Sequence, residues 1–226
     1  MAVKEEFVYG FELLKRYLIL RRAVLKLGIY GPTNSGKTTL ANRISIDFKG
    51  ERFGSISNMP HETRTVLTKE KVMIKSKDEK KLLIDLIDTP GFETKIDYKK
   101  FVSRGMNTND AKSRAQEASL GVIDSIKKLR DIDMALVVID ARKDPLKEFN
   151  IALQSCLSVR KIPCIIIANK IDLKTANPKK VKKIFSEYPS VSISAKKGIN
   201  MEELYQKVVK EANKSSNLLR TFKYRE

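Results

Sequence analysis

Apolar residues along this chain gather in short runs that alternate with amphipathic stretches, two periodicities taking turns from residue 24 onward. The runs Val24 to Tyr30, Val66 to Lys75, Leu82 to Asp88, Met134 to Asp140, Pro163 to Asn169 and Ser190 to Ser194 read as strands. Between most of them apolar positions recur at helical spacing, predicting helices at 37–46, 110–130, 146–160, 178–187 and 200–213. Strand alternating with helix implies a mainly parallel, six-stranded sheet with helices on both faces, an α/β fold. The runs 66–75 and 82–88 are joined only by the charged turn Ser76 to Lys81, too few residues for a crossover helix. They are therefore expected to form an antiparallel hairpin, placing one reversed strand at the sheet edge.

Ahead of the first strand, Phe7, Phe11, Leu14, Leu18 and Arg21 share helical spacing over residues 5–22. This predicts an amphipathic helix, with packing on the flank of the domain and lying on a membrane surface as its two readings. The pattern divides the chain into an N-terminal extension (1–23), one α/β domain (24–213) and a polar, basic tail (214–226).

Charge changes the picture next. Lys plus Arg number 45 against 27 Asp plus Glu, a formal net charge of +18. Such a surplus attracts RNA, DNA or anionic lipid; the bland alternative is the charge enrichment of proteins from hot habitats. The two cysteines, Cys156 in a helical stretch and Cys164 in an apolar run, look like neither ligands nor nucleophiles, so a reduced, cytoplasmic setting is expected. No apolar run approaches the roughly 20 residues of a membrane-spanning helix.

The chemistry begins at Gly31-Pro32-Thr33-Asn34-Ser35-Gly36-Lys37-Thr38, which satisfies G-x-x-x-x-G-K-[ST] between a strand ending at Tyr30 and a helix carrying Leu40 and Ile44. Glycines let the backbone turn its N–H groups toward phosphates, the helix N-terminus adds a positive dipole, and Lys37 neutralises the β- and γ-phosphates. Gly31, Asn34, Ser35, Gly36, Lys37, Thr38 and Thr39 are the expected phosphate-loop residues, with the Thr38 hydroxyl a ligand for Mg²⁺. Downstream, the strand Leu82 to Asp88 ends in Asp88-Thr89-Pro90-Gly91 at the sheet edge where open α/β sheets bind ligands. Asp88 is suited to hold a Mg²⁺-bound water, and Gly91 to offer an N–H to the γ-phosphate. Asp85, on the same strand, reads instead as a pairing or surface residue.

A second apolar strand ends in Asn169-Lys170-Ile171-Asp172, bringing an amide and a carboxylate to the same edge. A carboxylate accepts both N–H donors of guanine, which adenine lacks, so Asp172 is expected to select GTP over ATP. Ser194-Ala195-Lys196, at the end of the last strand, can supply a backbone N–H to the guanine carbonyl.

These four signals, in this order, resemble the G1, G3, G4 and G5 motifs of the Ras-like P-loop GTPase superfamily, over residues 24 to 213. Asn58-Met59-Pro60-His61-Glu62-Thr63-Arg64 resembles the switch I stretch of the Era-like subgroup, and Asp140-Ala141-Arg142 a run common there. The resemblance implies a Mg²⁺-dependent GTP-binding and GTP-hydrolysing switch. Thr63 becomes the switch I threonine that joins the Mg²⁺ shell, and Lys37, Thr63 and Gly91 carry the hydrolytic step. A ribosome or other RNA-containing partner follows from the same resemblance, and a membrane-surface or protein-docking module is the alternative. Self-association on GTP binding is compatible with either. The roughly 13 residues after the last helical stretch leave no room for Era's KH domain, and Phe92 to Asp110 suggests an enlarged switch II, so the chain resembles the short, archaeal-type forms.

Ras-like enzymes orient the attacking water with a glutamine where this chain has Phe92, so intrinsic hydrolysis is expected to be slow. Relatives with an apolar residue there often use K⁺ held partly by a phosphate-loop asparagine, the place of Asn34; K⁺ stimulation and a simple loop-capping role are the two readings of that residue. His61, the sole histidine, reads more readily as an exposed loop residue than as a general base.

Overall fold

A computed structural model describes residues 24–51, 66–75, 77, 81–91, 97–148, 153 and 157–222. The proposed N-terminal helix, the switch I stretch with Thr63 and His61, Phe92 and Cys156 lie outside the described residues.

The strands are β1 (Val24–Tyr30), β2 (Leu67–Lys75), β3 (Lys81–Asp88), β4 (Met134–Asp140), β5 (Cys164–Asn169) and β6 (Ser190–Ser192). They form one sheet in the order β2-β3-β1-β4-β5-β6. All neighbours are parallel except β2, which runs antiparallel to β3 at the edge, as the short turn between them requires. The helices are α1 (Lys37–Lys49), α2 (Lys99–Val102), α3 (Thr108–Lys128), α4 (Pro145–Glu148), α5 (Pro178–Ile184) and α6 (Met201–Phe222).

Because side chains alternate across a strand, β4 sorts its apolar run between two cores. Met134, Leu136 and Val138 join the core under α1 and α6, with Leu40, Ile44, Leu204 and Val208. Ala135, Val137 and Ile139 join the opposite core with Leu129, Val181 and Phe185. Burial on both faces is why the strand reads as a continuous apolar run rather than an alternating one.

Boundaries differ from expectation where local chemistry overrides periodicity. α3 starts at Thr108 because the Asn107 side chain caps it, accepting the Asp110 N–H at 2.9 Å. α5 stops at Ile184 rather than 187: Phe185 leaves the helical region (φ −107°, ψ 41°) with its N–H still on the Val181 carbonyl, and the chain turns over 185–187. β6 ends at Ser192, because Ser194 pairs instead with Ile199 in a local antiparallel bridge. α6 continues to Phe222, beyond the expected 213; its apolar pattern fades, but no glycine or proline interrupts the backbone ladder. Between 146 and 160 the described residues give α4 and helical backbone at 153 and 157–159. In the expected enlarged switch II, α2 forms a short turn whose Phe101 is buried. No described helix is long and apolar enough to cross a membrane.

Candidate nucleotide-binding site

The parallel strands end their carboxyl edges in Tyr30, Asp88, Asp140 and Asn169, so the chemistry-bearing residues gather at one edge by topology. Between β1 and α1 the phosphate loop wraps back on itself. Gly36 caps α1 in a left-handed conformation (φ 100°), and a Cβ there would collide with the Asn169 side chain. No side chain caps the α1 N-terminus and its first turn carries no acid, a setting in which the helix dipole favours an anion. Lys37 is buried, its ammonium donating to the Pro32 carbonyl at 2.8 Å across the loop.

Asp88 is fully buried beside this loop, and its Oδ2 accepts the Thr38 hydroxyl at 2.8 Å. Burial pushes its carboxyl up to about 6, against the pull of the Thr38 hydroxyl, the Lys37 charge and the Thr89 amide. Its Oδ1 is buried without a hydrogen-bond partner, as is the Ser35 hydroxyl. A hydroxyl and a carboxylate with an open oxygen form a donor set that suits a hard cation such as Mg²⁺. Gly91 packs on the phosphate loop, where a Cβ would strike Thr33. Thr89 anchors the turn between Asp88 and Gly91, its hydroxyl donating to the Ile29 carbonyl at 2.7 Å. Asp85 takes no part: it accepts the Lys71 N–H at 3.0 Å at the irregularity in β2, as its place on the strand predicts.

Asn169 ties the base side to the phosphate side. Its amide donates to the Ser35 carbonyl at 2.9 Å, and its Oδ1 accepts the Ala195 N–H at 3.1 Å. Asp172 Oδ1 accepts the Ser194 hydroxyl at 2.6 Å, which fixes the carboxylate at the mouth of the site. The Ser194 and Ala195 amides are thus engaged within the protein, to Ile199 and Asn169, so a donor to a base carbonyl from this stretch shares an amide or comes from Lys196. Asn34 sits in the loop with φ 62°, exposed, its carbonyl accepting the Lys170 ammonium. Thr39 is half-buried in the first turn of α1.

Two contributors carried no functional assignment in the sequence. Asp140, fully buried, holds Lys170 at 2.8 Å and Arg142 at 2.7 Å. Burial alone would raise its carboxyl, but these two cations and the Arg142 amide hold it down at about 2. The signal was an apolar strand ending in an acid at the carboxyl edge, the same signal that marked Asp88. Arg43, on α1, donates to the Ala195 and Lys196 carbonyls, each at 3.2 Å; no sequence pattern marks a contact across 150 residues. A cleft of about 530 Å³ lined by Asp47, Phe48, Met201 and Tyr205 contains none of the phosphate or base residues.

Residues 26–170 match the family model described as 50S ribosome-binding GTPase. The chain belongs to that family. Its Era-like character extends to individual relatives: it is 31% identical over 185 residues to GTPase Era of Borreliella burgdorferi, covering 80% of this chain and 54% of the relative. It is 26% identical over 211 residues to tRNA modification GTPase MnmE of Thermotoga maritima, covering 92% of this chain and 40% of the relative. Among solved structures, Era in complex with MgGDPNP and part of 16S ribosomal RNA superposes with a TM-score of 0.61 at 24% identity, covering 83% of this chain and 56% of that one. Aquifex aeolicus Era bound to GDP and AlF4⁻ gives a TM-score of 0.57 at 24% identity, with the same coverages. These likenesses bear out the P-loop fold with its reversed edge strand. The chain spans about half the length of the curated Era relatives it matches.

Proposed function

We propose that this Era-like chain is a Mg²⁺-dependent switch that binds and slowly hydrolyses GTP, and that its GTP and GDP states differ in their hold on a ribosomal or other RNA-containing partner. The observation that carries the reading is the convergence at one sheet edge of Lys37, the Thr38–Asp88 pair and the Asn169–Asp172 pair. Lys37 and the α1 amides bind the phosphates, while Asn169 holds the base loop and Asp172 reads the paired donors of guanine. Thr38 and Asp88 would hold Mg²⁺, with Thr63 added from switch I; when bound, the ion neutralises charge on the β- and γ-phosphates. Gly91 donates its N–H to the γ-phosphate, which makes the segment after it sensitive to hydrolysis.

Phe92 has no group to orient a water, hence the slow turnover, and Asn34 is the residue assigned to a stimulating K⁺. Residues 1–23 and 214–226 are read as extensions of the nucleotide domain at 24–213. The net charge of +18 favours encounter with a polyanion, and an Era relative has been solved with 16S ribosomal RNA. Co-sedimentation with ribosomes tests the switch: retention with a non-hydrolysable GTP analogue and release with GDP is expected. Equal retention in both states contradicts it, and equal GTP turnover in KCl and NaCl at matched ionic strength removes the K⁺ assignment.

A further inference from the structure

The loop that follows β6 is held from two sides. Within itself it closes through Ser194, whose carbonyl accepts the Gly198 N–H at 2.8 Å and whose hydroxyl accepts the Lys197 N–H at 3.1 Å. On its amide side Asn169 takes the Ala195 N–H. On its carbonyl side stands Arg43, whose Nε and Nη2 donate to two successive carbonyls, Ala195 and Lys196. The guanidinium also packs against Gly198, where an added Cβ would lie 3.5 Å from Cζ.

Arg43 is itself held. Asp47, one turn along α1, lies 3.6 Å from its Nη1, and Asp47 accepts the Tyr205 hydroxyl at 2.6 Å. Tyr205 is buried in α6, stacked edge-on against Phe48 with ring centroids 4.7 Å apart. A long side chain that would otherwise sample many rotamers is therefore fixed by a carboxylate that is fixed by a buried phenol.

We propose that Arg43 is a positioning residue for guanine recognition: by gripping the Ala195 and Lys196 carbonyls it sets the direction of the amides that the loop presents to the base. The physical link is the planar trans peptide, in which C=O and N–H point opposite ways. With the Ala195 carbonyl turned to Arg43, the Lys196 N–H is turned away from it, and the Lys196 carbonyl likewise fixes the Lys197 N–H on Ser194. The same grip steadies Ser194, and through it Asp172. Because Arg43 belongs to the helix whose N-terminus faces the phosphates, it makes the phosphate helix and the base loop one unit. A fork that spans two carbonyls is a property of arginine; a lysine offers a single ammonium to the same place.

This inference rests on the guanine-nucleotide reading of the site, so its test separates base from phosphate. Affinities of the unaltered full chain, Arg43→Ala and Arg43→Lys are measured by fluorescence titration with a labelled GDP, and for inorganic tripolyphosphate by displacement of that label. Arg43→Ala is expected to weaken GDP about tenfold, chiefly through faster dissociation, and Arg43→Lys about threefold, as charge-assisted hydrogen bonds to the loop are lost or halved. Tripolyphosphate, which touches only the phosphate loop, is expected to bind all three alike. Equal weakening of GDP and tripolyphosphate overturns the proposal, because Arg43 then merely props α1; unchanged GDP binding in both variants overturns it as well. Failure of the unaltered chain to bind GDP sinks the reading of the site itself, and shows before any variant is compared.

Discussion

At the phosphate end of the site, buried polar atoms wait for partners; at the base end, the protein supplies its own. Asp88 Oδ1 and Ser35 Oγ are buried without hydrogen bonds, and the α1 N-terminus has no side-chain cap. Across the same sheet edge Asn169 bonds on both sides, Asp172 is pinned by Ser194, and Lys170 and Arg142 close on Asp140. Unsatisfied buried groups are rare in native proteins; among the described residues Tyr30 Oη and Ser45 Oγ share this state away from the loop, and Asp88 Oδ1 and Ser35 Oγ are the two that lie at the phosphate loop. In the function proposed above, nucleotide and cation complete the phosphate end, while the side chains of the base end are already held by bonds within the protein.

The sharpest way to break this contrast is at Lys37. Removing its charge in Lys37→Ala should cost about a hundredfold in guanine-nucleotide affinity, read by fluorescence titration, because a charge-assisted contact to the phosphates is lost. Next comes Asp140→Asn at the base end, where two cations lose their carboxylate; chemical denaturation should show a loss of about 2 kcal/mol in the ligand-free protein. The sign of its pH dependence follows from the carboxyl at about 2, below its ordinary value of 3.8. Stability from Asp140 is fully present above pH ~4 and is lost as pH falls from ~4 toward ~2, a decline the variant should lack.

Asp88→Asn should do the reverse of Asp140→Asn. The buried charge of Asp88 is costly without a cation, so the ligand-free variant should melt about 3 °C higher while the Mg²⁺-dependent part of its GTP affinity disappears. The smallest effect belongs to Asp85→Ala on the same strand. It should cost about 0.5–1 kcal/mol through the lost Lys71 hydrogen bond and leave nucleotide affinity unchanged.

What the sequence shows of this site and what it hides follows from the range of each interaction. The mainly parallel sheet and its reversed edge strand were readable because periodicity and a six-residue turn leave few topologies, and the places of Lys37, Thr38 and Asp88 because local spacing and strand ends define them; the order of the strands came only with the structure. Position on one strand also set Asp85 apart from Asp88, and the structure has Asp85 on the Lys71 N–H and Asp88 buried against Thr38. Arg43 was not readable, since its partners lie more than 150 residues away and an arginine on a helix face resembles any solvated cation. Asp140 gave a signal, an acid closing an apolar strand, but only the fold shows that Lys170 comes from the neighbouring strand end to meet it. The early end of β6 was hidden because Ser194 forms its bridge within a tight loop, against the run of the apolar pattern.

One sheet edge is proposed to bind triphosphate at Lys37 and to read guanine at Asp172. Calorimetric titration of the purified chain with GTP and with ATP, each with Mg²⁺ and again with the metal chelated, tests it most directly. GTP binding at least a hundredfold tighter than ATP, weakened on chelation, is the expected result. Equal affinity for the two nucleotides, or no binding of either, would contradict it.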